Sequence, residues 1–540
     1  MTTLRTVLAC CVSLACPAAA PNEAPKPAAG IKADMTFLAD DALEGRAPGT
    51  PGHEIAAKYV AARFEALGLR PAGDADGWYQ SVRLHEQVLD AARSRLSLTG
   101  PRGAQSWAHA TSVIITANPQ ASVESIEAPV VFAGFGIDAP ELGFDDYRGL
   151  DVRGKIVAVL IGTPQGAPSE MGAHLNASKD RAAHRRGAIG MILLDTRIVR
   201  SLYPWARRLQ NDASPRMTWI QENGQPFSAA PGIQATAALD ASAAQALFAG
   251  ARRSLETVLD AADRRGGRPN GFDLPVRARI EWRASQRTLS SPNVLGLIPG
   301  SDPALRDEAV MMMAHLDHVG RRAAKDGDTI VNGALDNAAG VAIMLEAARA
   351  LANDRPRRSV LFMANTAEEA GLLGAEHFAH RPTLPLDRIV AVVNVDVPIL
   401  TYPFADVIAF GAEHSTLGED IDRAAAAAGV TVSPDPRPDE GLFTRSDHYA
   451  LVKKGVPALF IATGKGPGSD AAWQAYLEHH YHQPSDDMSQ PFDWAAAARF
   501  ARINESLVRE IANGERRPRW LRGSFFGDTF APASTKAATR

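Results

Sequence analysis

From Pro292 onward, unbroken apolar runs of strand length alternate with stretches of helical periodicity. One apolar run ends at His315 and another at Asp396, and a helical stripe begins between them, after Asn337. Strands without polar alternation are typical of a parallel sheet whose two faces are both covered by helices. The pattern therefore predicts an α/β fold with a mixed, mostly parallel sheet and helices on both faces.

The other parts of the chain differ from this pattern. At 540 residues the chain is too long for one ordinary core. Residues 111–280 contain short apolar runs separated by Gly, Asp and Pro, with one helical piece around 177–187, which predicts a small β-rich module. We assign residues 31–110 and 281–515 to the sheet domain, and we expect the basic, Pro-containing segment 516–540 to be a C-terminal tail, either a surface strap or a frayed end.

The N-terminus has the features of a secretory signal. Arg5 precedes an apolar run, and small residues follow toward residue 20. The apolar run is too short to span a bilayer. We therefore expect residues 1–20 to be a signal peptide and residues 21–30 to be a Pro/Ala linker. The mature protein would be exported to the periplasm or the extracellular space.

The cysteines of the sequence all lie within this signal, at Cys10, Cys11 and Cys16. The cleaved chain would therefore contain neither a disulfide nor a thiolate metal site. Lipid attachment at Cys16 is an alternative, although Ser13 stands where such a site prefers Leu or Val.

Charge and hydropathy argue against two kinds of partner. A net charge of -4 and a pI near 6.4 provide no basic field for nucleic acid. After the signal, no apolar run is long enough to predict a transmembrane span.

Polar residues follow the apolar runs where the predicted strands end. Ligands of open α/β sheets bind at the carboxyl ends of the strands, so these side chains are candidates for one site. The candidates are His315, Asp317, Asp336, Glu368, Glu369, Asp396 and His482. Each has an ordinary alternative: a surface turn for the first pair, a helix cap for Asp336, a turn for Asp396, and solvent exposure for the glutamates and His482. Their shared location, more than any single residue, favours a site.

This set of side chains suits a pair of zinc ions. Imidazole and carboxylate ligands without sulfur fit Zn²⁺ in a hydrolytic site, where an open coordination position holds water. Two adjacent ions need one bridging carboxylate, plus one imidazole and one further carboxylate for each ion. The candidates supply that set and leave one glutamate over, which can take a proton from water and pass it to a leaving amine.

Six motifs follow one another along the chain: AHLDH (314–318), GALDNAAG (333–340), TAEEAGLLGAEHF (366–378), NVD (394–396), RSDHYAL (445–451) and YHQPSDD (481–487). Together they resemble the co-catalytic dizinc aminopeptidase family. That family includes bacterial leucyl and vacuolar-type aminopeptidases, with glutamate carboxypeptidase II and transferrin receptor as relatives. The segment VVFAGFGI (130–137) resembles the protease-associated domain that is often inserted in this family, which implies such a domain at 111–280.

The resemblance implies a cofactor of two Zn²⁺ per chain and a role for each candidate ligand. One zinc would bind His315 and Asp396. The other zinc would bind Glu369 and His482, and Asp336 would bridge the two ions.

The same resemblance implies the roles of two further carboxylates. Glu368 would be the general base, and Asp317 would orient His315 by accepting the second N–H of its ring. A cis peptide bond is implied between Asp336 and Asn337.

Residues 443–448 resemble the segment that lies beside the substrate cleft in this family. Arg445, Asp447 and His448 are therefore candidates for contact with substrate. Ser446 has a helix cap as an equal alternative, and Arg46 is better explained by a surface turn than by a place in the cleft.

The implied function is an exported dizinc exopeptidase that removes N-terminal residues from peptides with a free α-amine. Glu368 would deprotonate a metal-bridging water, and the hydroxide would attack the scissile carbonyl. A dizinc carboxypeptidase is an alternative, because Arg437 and Arg445 could hold a substrate carboxylate. A glutaminyl-cyclase-like transferase usually functions with one zinc and a non-enzymatic receptor relative would have lost ligands, so the complete ligand set argues against both.

Overall fold

The computed structural model describes residues 27–212, 214–325 and 327–539. The predicted signal peptide and most of the predicted linker lie outside these ranges. The first helix begins at Pro27, so the last residues of the predicted linker are helical instead. Within the described ranges, no helix is both long enough and apolar enough to cross a membrane.

Strands and helices are numbered in chain order. The strands are β1 (Arg70–Pro71), β2 (Tyr79–Leu89), β3 (Arg95–Gly100), β4 (Gly103–Ala108), β5 (Val113–Ala117), β6 (Ser125–Phe132), β7 (Asp138–Ala139), β8 (Phe144–Asp145), β9 (Ile156–Leu160), β10 (Gly190–Leu194), β11 (Arg216–Trp219), β12 (Ala235–Leu239), β13 (Phe272–Glu281), β14 (Ala284–Ile298), β15 (Ala309–His315), β16 (Arg321–Lys325), β17 (Asp328–Ile330), β18 (Ser359–Asn365), β19 (Ile389–Val395), β20 (Asp406–Phe410), β21 (Thr431–Ser433) and β22 (Ala458–Thr463). The helices are α1 (Pro27–Leu38), α2 (Pro51–Ala66), α3 (Ser169–Asn176), α4 (Lys179–Arg185), α5 (Arg197–Leu202), α6 (Trp205–Asp212), α7 (Ala241–Leu247), α8 (Leu255–Ala262), α9 (Ala339–Asn353), α10 (Leu373–His380), α11 (Leu417–Ala427), α12 (His448–Val452), α13 (Ser469–Ala475), α14 (Trp494–Asn513) and α15 (Phe525–Phe530).

The larger sheet is mixed and has a parallel centre. Its strand order is β11-β2-β14-β18-β15-β19-β22-β20-β21, with β1 paired to β14. Strands β18, β15, β19 and β22 run in one direction, whereas the flanking strands β14 and β20 run in the opposite direction. The predicted mixed α/β fold is confirmed, although antiparallel pairs on both sides make the sheet less parallel than expected.

The antiparallel pair of β2 and β14 flanks the part of the sequence that forms the second sheet, and β11 from that part pairs with β2 at the edge of the larger sheet. The two strands pair from Tyr79 with Val294 to Leu89 with Ala284. The whole second sheet lies between them in sequence. Neighbouring antiparallel strands need no crossover connection, so a segment can be inserted between them without disturbing the parallel centre.

The second sheet has eight strands in the order β4-β3-β13-β6-β9-β10-β12-β5, and it runs from Arg95 to Glu281. It thus begins before residue 111, where the module boundary was predicted. Helices α3 to α8 lie in this part of the chain, so it is mixed α/β and not simply β-rich. Its assignment as a protease-associated domain at 111–280 remains a prediction.

Strand β15 shows why the apolar runs carry no polar residue before they end. Met312 and Ala314 pack into a core that includes residues of α9 and α14. Met311 and Met313 pack into a separate core that includes residues of α10 and α12. Alternate side chains therefore meet helices on opposite faces, as predicted, and His315 is the first polar side chain of the strand.

The C-terminal segment is anchored by aromatic side chains. Trp520 and Phe526 are buried in the core that includes Met311 and Met313. Trp520 Nε1 also donates to the backbone oxygen of Gly455 at 2.8 Å. A surface position, as predicted for 516–540, is therefore wrong for these two residues.

Candidate metal centre

The predicted ligands come from segments that end or follow the central strands. His315 ends β15, Glu369 follows β18 and Asp396 follows β19. Asp336 lies in the turn before α9, and His482 lies beyond α13. Because the central strands are parallel, their carboxyl ends lie at one edge of the sheet and bring distant parts of the sequence together.

Asp336 lies between the two histidines and offers one oxygen to each. His315 Nε2 is 3.1 Å from Asp336 Oδ1 and 3.1 Å from Asp396 Oδ1. His482 Nε2 is 3.3 Å from Asp336 Oδ2 and 3.1 Å from Glu369 Oε2. The five predicted ligands therefore form two groups that share a single carboxylate.

The spacing and charge of these groups fit divalent zinc. Two ligand atoms on one tetrahedral zinc are separated by roughly 3.3 Å, close to the separations in both groups. Burial opposes the charge of His315, but Asp396 and Asp336 outweigh it and raise its pKa well above the usual value. Burial also opposes the charge of His482, whereas Glu369 and Asp336 raise its pKa to about 10. The carboxylates thus favour positive charge at both imidazole positions, and bound cations would supply that charge.

The backbone around the shared carboxylate is held from two directions. The peptide bond between Asp336 and Asn337 is cis, as the family resemblance implied. Asn337 Nδ2 donates to the backbone oxygen of Val395 at 2.9 Å. Asp486 accepts the N–H groups of Leu335 and Asp336 at 3.0 and 3.1 Å. These contacts connect the turn of Asp336 to the end of β19 and to the segment that carries His482.

Asp317 does not hold His315 in the way that was predicted. The His315 Nδ1 atom lies 3.1 Å from the backbone oxygen of Asp317, and 4.0 Å from its nearest carboxylate oxygen. The carboxylate instead accepts the N–H groups of Glu368 at 3.1 Å and Glu369 at 3.3 Å. Asp317 therefore orients His315 through its main chain and holds the two glutamates through its side chain.

Glu368 directly precedes the ligand Glu369 but belongs to neither group of ligands. It is half-buried, and burial raises the pKa of its carboxyl group well above the usual value. His315 acts against this shift, whereas the negative charges of Asp396 and Glu369 add to it. A carboxylate in such surroundings binds a proton more readily than an ordinary glutamate, which suits a general base.

Ser446 holds the ligand Asp396. Its hydroxyl donates to Asp396 Oδ2 at 2.6 Å and accepts from Asn394 Nδ2 at 2.7 Å. Because the amide nitrogen of Asn394 can only donate, the hydroxyl proton is directed to Asp396. Ser446 is therefore not the helix cap that sequence analysis considered.

Arg46 is buried, and the surface turn predicted for it is wrong. Its guanidinium donates to the backbone oxygens of Leu316 at 2.9 Å, Asn332 at 2.6 Å and Gly333 at 3.0 Å, and also to that of Leu38. Burial lowers the pKa of Arg46 to about 10, so the side chain stays cationic at neutral pH. Arg46 thus connects the N-terminal segment to the turn after His315 and to the turn that carries Asp336.

The burial of Asp447 and His448 argues against the substrate contacts that were predicted for them. Asp447 and His448 have no exposed surface, so neither side chain can meet a substrate in this structure. The ring of His448 packs against Phe443 and Phe460, with centroid distances of 5.0 and 5.7 Å. Arg445 is exposed and remains a candidate.

Two side chains that hold the centre were not predicted from the sequence. His318 Nδ1 lies 2.6 Å from Glu369 Oε1, and Asp486 holds the turn of Asp336. His318 and Asp486 each follow a predicted ligand closely in sequence, so polar residues next to a ligand were the available signal.

Comparison with known proteins agrees with this geometry. Residues 293–508 match the family described as Peptidase family M28. The mouse protein named aminopeptidase NAALADL1 is 34% identical over 147 residues, which cover 25% of this chain and 18% of that protein. The rat protein of the same name is 32% identical over 146 residues, with the same coverage of 25% and 18%. The match thus spans less than a fifth of the length of these two relatives.

A solved structure shows the same fold over most of the chain. It is described as an aminopeptidase from Aneurinibacillus sp. strain AM-1 and shares 19% identity, with a TM-score of 0.53. The similarity covers 91% of this chain and 95% of that one.

Proposed function

We propose that this protein is a zinc-dependent aminopeptidase with two zinc ions per chain, because residues 293–508 match the family described as Peptidase family M28. The observation that carries the proposal is the carboxylate of Asp336, which offers one oxygen to each histidine-containing group. A single-metal site would not need a carboxylate in that shared position. Peptides with a free N-terminal amine are the proposed substrates, since the mouse and rat relatives are named aminopeptidases.

Each metal position has its own ligands. The first zinc would be held by His315 and Asp396, and the second zinc by Glu369 and His482, with Asp336 as the ligand of both. When bound, zinc lowers the pKa of a coordinated water and polarises a carbonyl oxygen.

Glu368 is the residue to which we assign proton transfer. Its carboxylate accepts a proton from the attacking water and donates that proton to the nitrogen of the leaving amine. The proton thus ends on the product, and Glu368 returns to its ionised state. The backbone N–H groups of Glu368 and Glu369, held by Asp317, fix the base next to a metal ligand.

Export is the proposed location of the mature enzyme. The support is the predicted signal at residues 1–20, which lies outside the described residues. We also infer that the segment around the second sheet acts as a protease-associated domain, because it is inserted between neighbouring strands of the catalytic sheet.

A comparison of substrates tests the proposal. Zinc-loaded protein should cleave a peptide with a free N-terminus, should not cleave the N-acetylated form, and should lose activity when a chelator removes zinc. Metal analysis should give two zinc ions per chain. Cleavage of the N-acetylated peptide from its carboxyl end would instead favour the carboxypeptidase, and cyclisation of N-terminal glutamine with one zinc would favour the transferase.

A further inference from the structure

We propose that His318 is a positioning residue that directs one oxygen of Glu369 to the second zinc. The inference rests on the proposed function and adds a residue to the five predicted ligands. His318 Nδ1 lies 2.6 Å from Glu369 Oε1, whereas Glu369 Oε2 lies 3.1 Å from His482 Nε2. The two oxygens of one carboxylate therefore have different partners.

The distance of 2.6 Å between His318 Nδ1 and Glu369 Oε1 indicates a hydrogen bond and not two ligands of one metal ion. Two atoms that bind the same tetrahedral zinc lie roughly 3.3 Å apart, as the other contacts of this centre nearly do. His318 Nδ1 and Glu369 Oε1 are too close for an ion between them, and they match a charge-assisted N–H···O⁻ hydrogen bond. His318 Nδ1 is also 3.9 Å from Asp336 Oδ1, which is beyond hydrogen-bond distance.

The imidazole of His318 is held in place on several sides. The residue is 0% exposed, and its backbone N–H donates to the backbone oxygen of Arg46 at 3.3 Å. Gly333 approaches the ring so closely that a Cβ atom there would lie 2.6 Å from His318 Cδ2. The ring also meets the edge of His482, with centroids 5.5 Å apart and an interplanar angle of 78°. The side chain therefore has no room to turn away from Glu369.

A fixed donor on Oε1 limits how Glu369 can bind metal. With Oε1 engaged by His318, only Oε2 is offered to the second zinc, and the carboxylate cannot rotate freely. Partners that hold metal ligands in this way affect metal affinity by about 10- to 100-fold. Loss of the donor should therefore weaken the second zinc more than the first, because the nearest ligand atom of the first zinc, Asp336 Oδ1, lies 3.9 Å from His318 Nδ1.

Two substitutions at one position test this role. His318→Asn keeps an amide donor near the place of imidazole Nδ1, and His318→Leu removes the donor at similar size. Zinc affinities are measured in chelator-buffered titrations, and anomalous diffraction at the zinc edge assigns the loss to one site. We expect about 10- to 100-fold weaker binding at the second site in His318→Leu, with recovery toward the wild-type affinity in His318→Asn. His318→Ala replaces His318→Leu if that variant does not fold.

The outcomes separate this inference from the proposed function. Equal loss at both sites, no loss at either, or the same loss in the Asn and Leu variants would overturn the role of His318. Zinc-loaded wild-type protein without aminopeptidase activity would refute the proposed function instead, and the zinc affinities of the variants could still be compared.

Discussion

The carboxylate of Asp317 binds the backbone N–H of Glu368, at 3.1 Å. This bond connects the end of β15, which carries His315, to the turn after β18, which carries the proposed base. The same carboxylate holds the N–H of Glu369. Asp317, two positions after the ligand His315, thus positions both the ligand Glu369 and the proposed base Glu368.

Replacement of Asp317 tests this arrangement. In Asp317→Asn, one carboxylate oxygen becomes an NH₂ group that faces a backbone N–H, so the turn of Glu368 and Glu369 should lose one of its two anchors. We expect kcat to fall by about 10- to 100-fold and the second zinc to weaken more than the first. Kinetics and site-resolved zinc occupancy measure both effects. Stronger loss at the first zinc would instead mean that the side chain orients His315, as sequence analysis predicted.

Removal of the proposed base should separate catalysis from metal binding. Glu368→Gln keeps the shape of the side chain but cannot accept the proton of the attacking water. We expect kcat to fall by about 10²- to 10⁴-fold while both zinc ions remain bound. Glu65→Gln, at an exposed position of α2, is the matched control and should leave kcat unchanged. A Glu368→Gln enzyme with near-normal kcat would exclude this residue as the base.

Ser446→Ala should act on the first zinc, in contrast to the variants of His318. The hydroxyl of Ser446 donates to Asp396 Oδ2, and alanine leaves that oxygen without this donor. We expect about 10- to 100-fold weaker binding at the first site and little change at the second. The same chelator-buffered titrations measure this, with the exposed Ser125→Ala as control. Loss confined to the second site would contradict the assignment of Asp396.

Local sequence patterns were sufficient for the parallel centre of the larger sheet and for the candidate side chains at its carboxyl edge. The apolar runs are buried on both faces, so their lack of polar alternation reports their surroundings directly, and His315 and Asp396 stand where such runs end. The five predicted ligands converge for the same reason. The antiparallel flanks were not predictable, because strand direction depends on how distant segments such as β2 and β14 pair.

Contacts made through the main chain were harder to predict. Arg46 binds backbone oxygens of residues far along the chain, and nothing in its local sequence identifies those partners. One helix was predicted around 177–187, where α4 lies, but the other helices around the second sheet were missed because several, such as the alanine-rich α7, are too short to show a clear apolar stripe. Asp447 and His448 were assigned to the substrate from their place in a motif, but the packing of the segment buries both.

A contact between the two sheet-containing parts should make stability depend on pH. His174, on α3, lies with its Nδ1 atom 2.6 Å from the hydroxyl of Tyr449, on α12, close to Ser446. Burial lowers the pKa of His174 from the usual 6.5 to about 4, with Arg181 and Lys453 adding to the effect. The unfolded chain therefore binds a proton at a higher pH than the folded protein does.

The direction of the effect follows from that difference. Stability is unaffected by His174 above about pH 6.5 and falls as the pH drops toward about 4, because protonation then favours the unfolded chain. His377, whose pKa burial lowers to about 4, acts in the same direction, so one variant must isolate His174. We expect the melting temperature of wild-type protein to fall more between pH 7 and pH 4.5 than that of His174→Asn. The asparagine does not titrate in this range, and its side chain can still accept a hydrogen bond from the Tyr449 hydroxyl. Parallel melting curves for the two proteins across this range would show that His174 does not titrate as its burial requires.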